Sequence, residues 1–304
     1  MLVHDSFALP DDVISQFEAS SGIDVTFTPV GDAGTLVNQL ALSAGAPLGD
    51  AVYGIDNTFA SRAVASGALA EYVSPGATDS VSGELTAIDY SDVCFNIDLA
   101  AFDSTLPAPV SFDDLLKPEY AGLVSVSNPT TSSPGLALLL ATYATYGDGW
   151  EDYWRALRDN DLEVTAGWSD TYFVDFSAPN YGGDFPIVLS YASSPPSEVI
   201  DGSPTTAALL DTCFRQVEYA GVLEGAANPT AAQAVVDWML SDEVQSALPD
   251  SMYVYPVSPT ASIPSEWLEY APLSDQPIMI DPATIDAERD TLLRAWTEIV
   301  IDGQ

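Results

Sequence analysis

Apolar stretches of strand length alternate with stretches of helical periodicity in the first part of the chain. Buried strands give short apolar runs, whereas a helix with one buried face repeats apolar residues every three or four positions. In the second helical stretch, for example, Leu36, Leu40 and Ala44 share one face. The pattern predicts three strand-then-helix units, with strands over 2–7, 23–30 and 50–57 and helices over 9–22, 34–45 and 58–69.

The alternation continues to the end of the chain, which indicates an α/β architecture with largely parallel sheets. A chain of 304 residues is long enough for two cores, so we expect two lobes, the second beginning near residue 95. The later strands are predicted over 122–128, 162–167, 184–193 and 211–225, and the later helices over 150–160, 228–248 and 281–301, with a short helix in the Pro-rich link 104–122.

The composition is strongly acidic, with 45 acidic against 7 basic residues and a formal net charge of −38. Apolar residues still make up 47% of the chain, which excludes a disordered acidic tail. Lys117 is the only lysine. We expect a salt-adapted protein, because a Debye length of about 3 Å in molar salt screens such a charge. An acidic protein with a cationic partner is the alternative, and nucleic-acid binding is excluded by the absence of a basic patch.

Neither the start of the sequence nor the two cysteines decide in which compartment the protein is located. No apolar run reaches the length of a membrane span, so a transmembrane helix is not expected. No signal peptide is visible at the start, "MLVHDSF", which suits either a cytoplasmic protein or one whose export signal has been removed. Cys94 and Cys213 are too far apart in sequence for a metal clip or a redox CxxC motif.

Unusual polar and aromatic residues follow the predicted strands, where loops lead into helices. In open α/β sheets the ligand lies beyond the carboxyl ends of the strands, so this clustering predicts a binding site. The clusters are His4-Asp5-Ser6, Asp56-Asn57, Thr131-Ser132-Ser133, Trp168-Ser169 and Tyr191-Ala192-Ser193-Ser194.

The hydroxyl run 130–133 precedes a Pro-Gly pair and an apolar helix. Free N–H groups and a partial positive charge at a helix start bind phosphate or carboxylate. Ordinary capping by Ser132 or Ser133 is the alternative. Asp56 ends an apolar run, where it would suit a cationic ligand or simply start the next helix.

Aromatic residues near the other junctions could sandwich a flat ring or a cation, or could fill the core. They are Trp168, Tyr172, Tyr191, Tyr253 and Tyr255. Because Tyr253 and Tyr255 belong to one stretch of alternating residues, we expect only one of the two to face the ligand.

Support for catalysis or metal binding is weak. His4 is the only histidine, and no GxSxG, HExxH or calcium-loop motif occurs. We therefore predict no catalytic residue, no metal site and no cofactor, and we favour a binding protein over an enzyme.

The motifs "HDSF", "GIDNT", "NPTTSSPGLALLL", "GWSDTY", "VLSYASSP" and "MYVYPV", with a closing "RAW" helix, occur in one collinear order over nearly the whole chain. In this the chain resembles the periplasmic thiamine-binding proteins of bacterial ABC importers, a branch of a class that also holds ferric-ion and polyamine binders. The resemblance implies a type II periplasmic-binding-protein fold, in which two α/β lobes joined by two crossing strands close on a ligand and deliver it to a membrane permease.

The resemblance also implies a division of the chain and a disulfide. Residues 1–90 and 217–275 would form the first lobe and 91–216 the second, with the C-terminal helix 276–304 packing back near the second. Cys94 and Cys213 would lie on the two crossing strands and could form a disulfide, as in an exported protein. We expect an extracytoplasmic monomer, periplasmic or at the cell surface and possibly lipid-anchored, that has no cofactor and binds a permease.

The resemblance implies that aromatic rings stack on the ligand, that Asp56 faces its amine or cation, and that hydroxyls receive its hydroxyethyl or phosphate end. The full set of expected ligand-binding residues is His4, Asp56, Asn57, Thr131, Ser132, Ser133, Trp168, Tyr172, Tyr191, Ser193, Ser197 and Tyr253. Three of them depart from the family pattern: His4 and Ser197 replace tyrosines, and Tyr253 replaces a tryptophan. If His4 contacts the cation, protonation below about pH 6.5 should weaken binding.

Other ligands of the same fold are the alternatives. A ferric-ion binder would need clustered tyrosines, and a polyamine binder would use Asp56 and the aromatic residues but not the hydroxyl run. An enzyme of thiamine-precursor synthesis can share the fold, but it would need a reactive Cys or His cluster.

Overall fold

The elements of the chain are given by a computed structural model that describes residues 1–179 and 181–303. The strands are β1 (Leu2–Val3), β2 (Thr28–Pro29), β3 (Ala51–Asp56), β4 (Ser80–Val81), β5 (Leu85–Asp98), β6 (Val124–Ser127), β7 (Glu163–Thr165), β8 (Ile187–Tyr191), β9 (Val199–Ile200), β10 (Ser203–Pro204), β11 (Thr206–Ala208), β12 (Phe214–Val222) and β13 (Tyr255–Pro256).

The α-helices are α1 (Asp11–Ser21), α2 (Ala33–Leu42), α3 (Ala60–Ala65), α4 (Ser133–Tyr146), α5 (Trp150–Asp159), α6 (Trp168–Asp170), α7 (Pro229–Trp238), α8 (Asp242–Met252), α9 (Ser265–Tyr270) and α10 (Pro282–Trp296). Wider π turns continue α6 over Thr171–Asp175 and α10 over Thr297–Ile301. The predicted α/β class is confirmed by these elements. Within the described residues, no helix is long and apolar enough to cross a membrane.

The chain divides into two compact units. The first contains Met1–Tyr90 and Gln216–Pro264, and the second contains Ser91–Arg215 and the residues from Ser265 onward. The chain therefore passes from the first unit to the second within β5 and returns within β12.

The first unit has a sheet in which β1 runs parallel to both β2 and β3. Strand β12 pairs with β3 in the antiparallel direction and places Glu218 opposite Asp56. The core of this unit contains Tyr53, Ile88, Val236 and Leu248, all fully buried. Parallel β1 and β3 end at the same edge of the sheet, so the residues that follow them lie near each other.

The second unit has a sheet in which β6 runs parallel to β7 and to β8. Strand β8 pairs antiparallel with the second half of β5, so the prediction of largely parallel sheets is only partly right. Helix α4 is apolar on every side, and its residues from Ser133 to Thr142 are all buried. Trp154 and Trp296 are also fully buried, with their rings edge to face at 5.6 Å.

Within the second unit, an ion pair joins β5 to β12, and a disulfide joins β5 to the residue just before β12. Cys94 and Cys213 are bonded and buried among Ala192, Ala208, Leu210 and Leu273. The Arg215 guanidinium pairs with the fully buried carboxylate of Asp92, which also accepts a hydrogen bond from the Ser274 N–H at 2.8 Å. Two strands far apart in sequence are thereby held in a fixed register.

Three predictions about the elements are wrong. The helix expected over 228–248 is two helices, because α7 ends at Trp238 and Ser241 starts α8 as its N-cap, accepting from the Val244 N–H at 3.4 Å. The strand expected over 23–30 is reduced to Thr28–Pro29. Ala44, expected on the buried face of α2, is exposed and lies beyond the helix end at Leu42.

The boundary expected at residue 275 is also wrong, because 265–275 belongs to the second unit. Trp267 is buried there, and the Tyr270 hydroxyl donates to the Gly202 carbonyl at 2.9 Å. Leu273 packs against the disulfide. These contacts associate the segment with the second unit although β13 just before it belongs to the first.

Candidate functional site

In the first unit, two predicted site residues lie at the carboxyl edge of the sheet. His4 directly follows β1, and Asp56 is the last residue of the parallel strand β3. Both side chains are buried. The sheet topology therefore brings together His4 and Asp56, which the sequence assigned to different junctions.

Asp56 starts the next helical segment, as its alternative interpretation predicts. Its Oδ1 accepts hydrogen bonds from the Thr58 N–H at 3.2 Å, the Thr58 hydroxyl at 2.8 Å and the Phe59 N–H at 3.1 Å. The neighbouring Asn57 accepts from the Val217 N–H at 3.1 Å and so ties this turn to β12. The Asp56 carboxyl group is thus held in place at the edge of the sheet, and Asn57 has a structural contact.

His4 packs closely against β3. A Cβ added at Gly54 would lie 2.3 Å from the His4 ring, so only glycine fits there. The His4 Nδ1 is 2.9 Å from the Ser6 hydroxyl. The Nε2 atom has no hydrogen-bond partner and lies 3.7 Å from the Glu218 carboxylate. His4 is therefore oriented toward a buried acid that was not among the predicted site residues.

Glu218 belongs to a pair of buried carboxyl groups with Asp89. The Tyr53 hydroxyl is 2.6 Å from Asp89 Oδ2 and 3.2 Å from Glu218 Oε2, and the two carboxyl groups also hydrogen-bond each other. Burial raises the pKa of Asp89 to about 7. Burial, and then the nearby Asp89 charge, raise the pKa of Glu218 well above its usual range.

The raised pKa of Asp89 makes stability depend on pH. The unfolded chain releases this proton near pH 4, whereas the folded chain keeps it to about pH 7, so the free energy of unfolding falls as the pH rises between these values. Asp89→Asn keeps an acceptor for Tyr53 and removes the titration. We expect the variant to gain about 2 kcal/mol relative to wild type between pH 5 and pH 8, since one pKa unit corresponds to about 1.4 kcal/mol.

Urea denaturation at pH 5 and pH 8 measures this difference. Asp12→Asn, at an exposed position in the first turn of α1, is the matched control and should keep the wild-type pH dependence. An Asp89→Asn variant with the same pH dependence as wild type would show that Asp89 is ionised in the folded protein at pH 5.

In the second unit, the predicted aromatic residues form one cluster at the carboxyl edge of β7 and β8. Trp168 stacks on Tyr172 with ring centroids 5.1 Å apart and an interplanar angle of 13°. Tyr191 lies 5.8 Å from Trp168. Tyr172 is fully buried, whereas Trp168 and Tyr191 keep 6% and 8% exposure. Tyr172 therefore supports Trp168 from the inside rather than forming the outer surface.

Polar side chains hold these rings in place, and of these the sequence identified only Ser194. The Trp168 Nε1–H donates to the Ser190 hydroxyl at 2.9 Å, which is 2.8 Å from the Ser194 hydroxyl. The Tyr172 hydroxyl donates to the buried Glu198 carboxylate at 3.3 Å. The only sequence signal for Glu198 is that it is the one acid in the stretch "LSYASSPPSEV".

The hydroxyl run before α4 is mostly engaged in internal hydrogen bonds. Ser132 occupies the N-cap position, but its hydroxyl donates to Ser127 at 2.8 Å instead of capping the helix. Thr131 donates to the Ala166 carbonyl at 2.6 Å. Ser133 is the first helical residue and is buried. A Cβ at Gly135 would lie 2.3 Å from the Ser127 carbonyl oxygen, so the helix start packs tightly on the end of β6.

Three further residues of the predicted binding set are Ser193, Ser197 and Tyr253. The Ser193 hydroxyl is 2.5 Å from that of Ser91, and both are buried. Ser197 is partly exposed, and its N–H donates to the Ser194 carbonyl at 3.0 Å. Tyr253, in the first unit, ends α8 with a φ of 58°, a left-handed conformation that is uncommon for a bulky residue. Tyr255, the other tyrosine of this stretch, is buried and stacks on Tyr90.

A separate cleft of about 550 Å³ lies in the first unit at the amino ends of its strands. Its lining includes Val25, Leu48, Ala51 and Val235. None of the predicted site residues lines it, and its Asp50 already binds the N–H of Asn228 at 2.8 Å. The polar and aromatic clusters, not this cleft, are therefore the better candidate site.

Known proteins match the chain over most of its length. The sequence profile of the family described as "Bacterial extracellular solute-binding protein" matches residues 54–275. The thiamine-binding periplasmic protein of Escherichia coli K12 is 27% identical over 311 residues, which cover 98% of this chain and 91% of the relative. A solved structure described as "Periplasmic thiamin binding protein" matches with a TM-score of 0.88 and 26% identity, covering 98% of this chain and 95% of that one. The ferric binding protein from Campylobacter jejuni has a TM-score of 0.76 and 17% identity, which shows a shared fold alone.

Proposed function

Because the chain belongs to the family of bacterial extracellular solute-binding proteins, we propose that it captures thiamine or a thiamine phosphate outside the cytoplasm. As a receptor it hands the vitamin to the permease of an ABC importer and catalyses no reaction. Relatives described as thiamine-binding periplasmic proteins support this ligand.

The aromatic cluster of the second unit is the observation that carries the proposal. Trp168 and Tyr191 lie at one edge of the sheet, and Ser190 and Tyr172 hold the indole ring in place. Aromatic faces bind flat rings and cations, and thiamine offers a pyrimidine and a positively charged thiazolium. A preorganised indole loses little entropy when such a ring stacks on it.

The acidic edge of the first unit supports a cationic ligand. Asp56, Glu218 and Asp89 are all buried there, and His4 is the only basic side chain that contacts Glu218 among the described residues. A positively charged ligand reduces the repulsion among buried carboxylates. The remaining members of the proposed ligand set are Asn57, Thr131, Ser132, Ser133, Tyr172, Ser193, Ser197 and Tyr253, which act by contact or by positioning their neighbours.

Isothermal titration of thiamine, thiamine monophosphate and thiamine diphosphate tests the proposal in molar salt. Asp56→Asn is the matched variant, because the amide oxygen still accepts from the Thr58 and Phe59 N–H groups while the charge is lost. We expect wild type to bind at least one of the three, and the variant to bind about tenfold more weakly, which corresponds to about 1.4 kcal/mol.

Asp12→Asn should bind like wild type, because its carboxylate is exposed on α1. Equal affinities of wild type and Asp56→Asn would remove Asp56 from the site. The ranking of the three ligands decides which form of the vitamin is carried.

The charge of the protein supports a high-salt environment. With a formal net charge of −38, self-repulsion opposes folding when the Debye length is about 10 Å, at 0.1 M salt, and is screened when it is about 3 Å, at 1 M. We expect the midpoint of thermal unfolding to rise by about 5 °C between 0.1 M and 2 M KCl. Sucrose of equal osmolality is the control for general exclusion effects, and a midpoint that responds equally to sucrose and KCl would contradict charge screening.

A further inference from the structure

The first unit contains a buried acid pair that the capture of a ligand by the aromatic cluster does not explain. Asp89 on β5 and Glu218 on β12 are 0% and 5% exposed. Burial of an unneutralised carboxylate is costly, and a buried pair of them is more so. Within the described residues no lysine or arginine forms an ion pair with either acid.

The hydrogen bonds of the pair require a bound proton. Tyr53 has one hydroxyl hydrogen, although its oxygen is near both Asp89 and Glu218. Two carboxylates are acceptors only, and with both ionised Asp89 Oδ1 has no donor. A single proton lets one carboxyl group donate to the other. The geometry is that of two carboxyl groups that share one proton.

This pair is adjacent to the proposed cation-binding edge. Glu218 is directly opposite Asp56 in the antiparallel β3–β12 pair, so their side chains lie on the same face of the sheet. The unpartnered His4 Nε2, in a side chain that is 8% exposed, is directed at Glu218 at 3.7 Å. The titratable groups that face Glu218 are thus Tyr53 and Asp56 on β3, Asp89 on β5, and His4 after β1.

We propose that binding of a cationic ligand at this edge releases the proton shared by Asp89 and Glu218. The inference rests on the proposed function. An added positive charge beside Asp56 and His4 stabilises the second carboxylate, so one O–H bond breaks and the proton leaves to solvent as the cation binds. The exchange conserves charge, because one bound positive charge replaces another.

Proton release makes the affinity depend on pH. Where the free protein holds the shared proton and the complex does not, affinity rises with pH by up to tenfold per pH unit. Affinity would also rise with pH if His4 contacts the cation. Substitutions must therefore distinguish proton release by the acid pair from proton release by His4.

Titration of thiamine at pH 7 in buffers of different ionisation enthalpy counts the released protons. Thiamine is the probe because it has no phosphate group that titrates near this pH. We expect wild type to release a substantial fraction of a proton, and Asp89→Asn and Glu218→Gln to release close to none while still binding. Asp12→Asn should match wild type, and His4→Gln should keep the release.

Three outcomes overturn the inference. Thiamine binding without proton release in wild type refutes the coupling and leaves the proposed function intact. Release that persists in both Asp89→Asn and Glu218→Gln, and disappears in His4→Gln, assigns the proton to the histidine. Absence of thiamine binding refutes the coupling, and absence of binding of thiamine and both of its phosphates refutes the proposed function as well.

Discussion

Replacement of both Cys94 and Cys213 by alanine is expected to lower the free energy of unfolding by about 4 kcal/mol. The disulfide closes a loop with a sequence separation of 119, so it removes considerable chain entropy from the unfolded state. Both sulfur atoms are buried, and their loss also leaves a small cavity beside Leu273.

Urea denaturation followed by tryptophan fluorescence measures this loss in the unit that contains the bond. Five of the six tryptophans belong to the second unit, and Trp238 belongs to the first. The reduced wild-type protein is the matched comparison and should behave like the double variant. A double variant as stable as oxidised wild type would show that the unfolded state is already constrained by other means.

Replacement of Trp168 by alanine is expected to lower the affinity for thiamine about 100-fold. Stacking of a base on an aromatic side chain contributes about 1–3 kcal/mol, and a cation over the ring adds to it. Trp168→Phe retains a smaller ring without the Nε1–H that binds Ser190, and we expect an intermediate loss. Isothermal titration of the three proteins measures the series.

The control for the indole series is Trp267→Phe, at a buried tryptophan of the same unit that lies in α9. It should lose some stability and keep wild-type affinity. If Trp168→Phe and Trp267→Phe bind thiamine equally well, Trp168 is a core residue and its stacking on Tyr172 serves packing alone.

The sequence predicts well those features that depend on local pattern. The α/β class follows from apolar periodicity, and the position of His4 and Asp56 at the carboxyl ends of two parallel strands follows from the strand-then-helix order. The break between α7 and α8 was missed because the apolar residues on both sides keep helical spacing, although α7 ends at Trp238 and Ser241 starts a new helix as its N-cap.

Features that depend on pairing between distant strands could not be predicted in this way. Asp89 and Glu218 meet only because β5 and β12 both pack around Tyr53. A local signal does exist, since Glu218 is the only acid of β12 and Asp89 is one of three in the otherwise mostly apolar β5, but the partner of such an acid is set by the tertiary fold. Ser190 was missed for the same reason, because its role is to hold the indole of Trp168.

The resemblance to a known family supplied what the physical pattern left open. Composition and motifs favoured a binding protein, but the hydroxyl run alone could mean capping or anion binding, and Asp56 alone could mean a helix start. The structure gives Asp56 the helix-starting contacts and directs Ser132 toward Ser127. Both residues remain in the proposed ligand set because Asp56 lies at the sheet edge of the first unit, as His4 does, and Ser132 follows β6 at the sheet edge of the second unit, where Trp168 follows β7.

The central claim is that the chain is a receptor for thiamine, and equilibrium titration of thiamine, spermidine and ferric citrate into separate samples in molar KCl tests it most directly. We predict one thiamine bound per chain with micromolar or tighter affinity, and far weaker binding of the other two. Binding of spermidine or ferric ion without binding of thiamine would contradict the claim and would reassign the aromatic and acidic clusters to another ligand of the same fold.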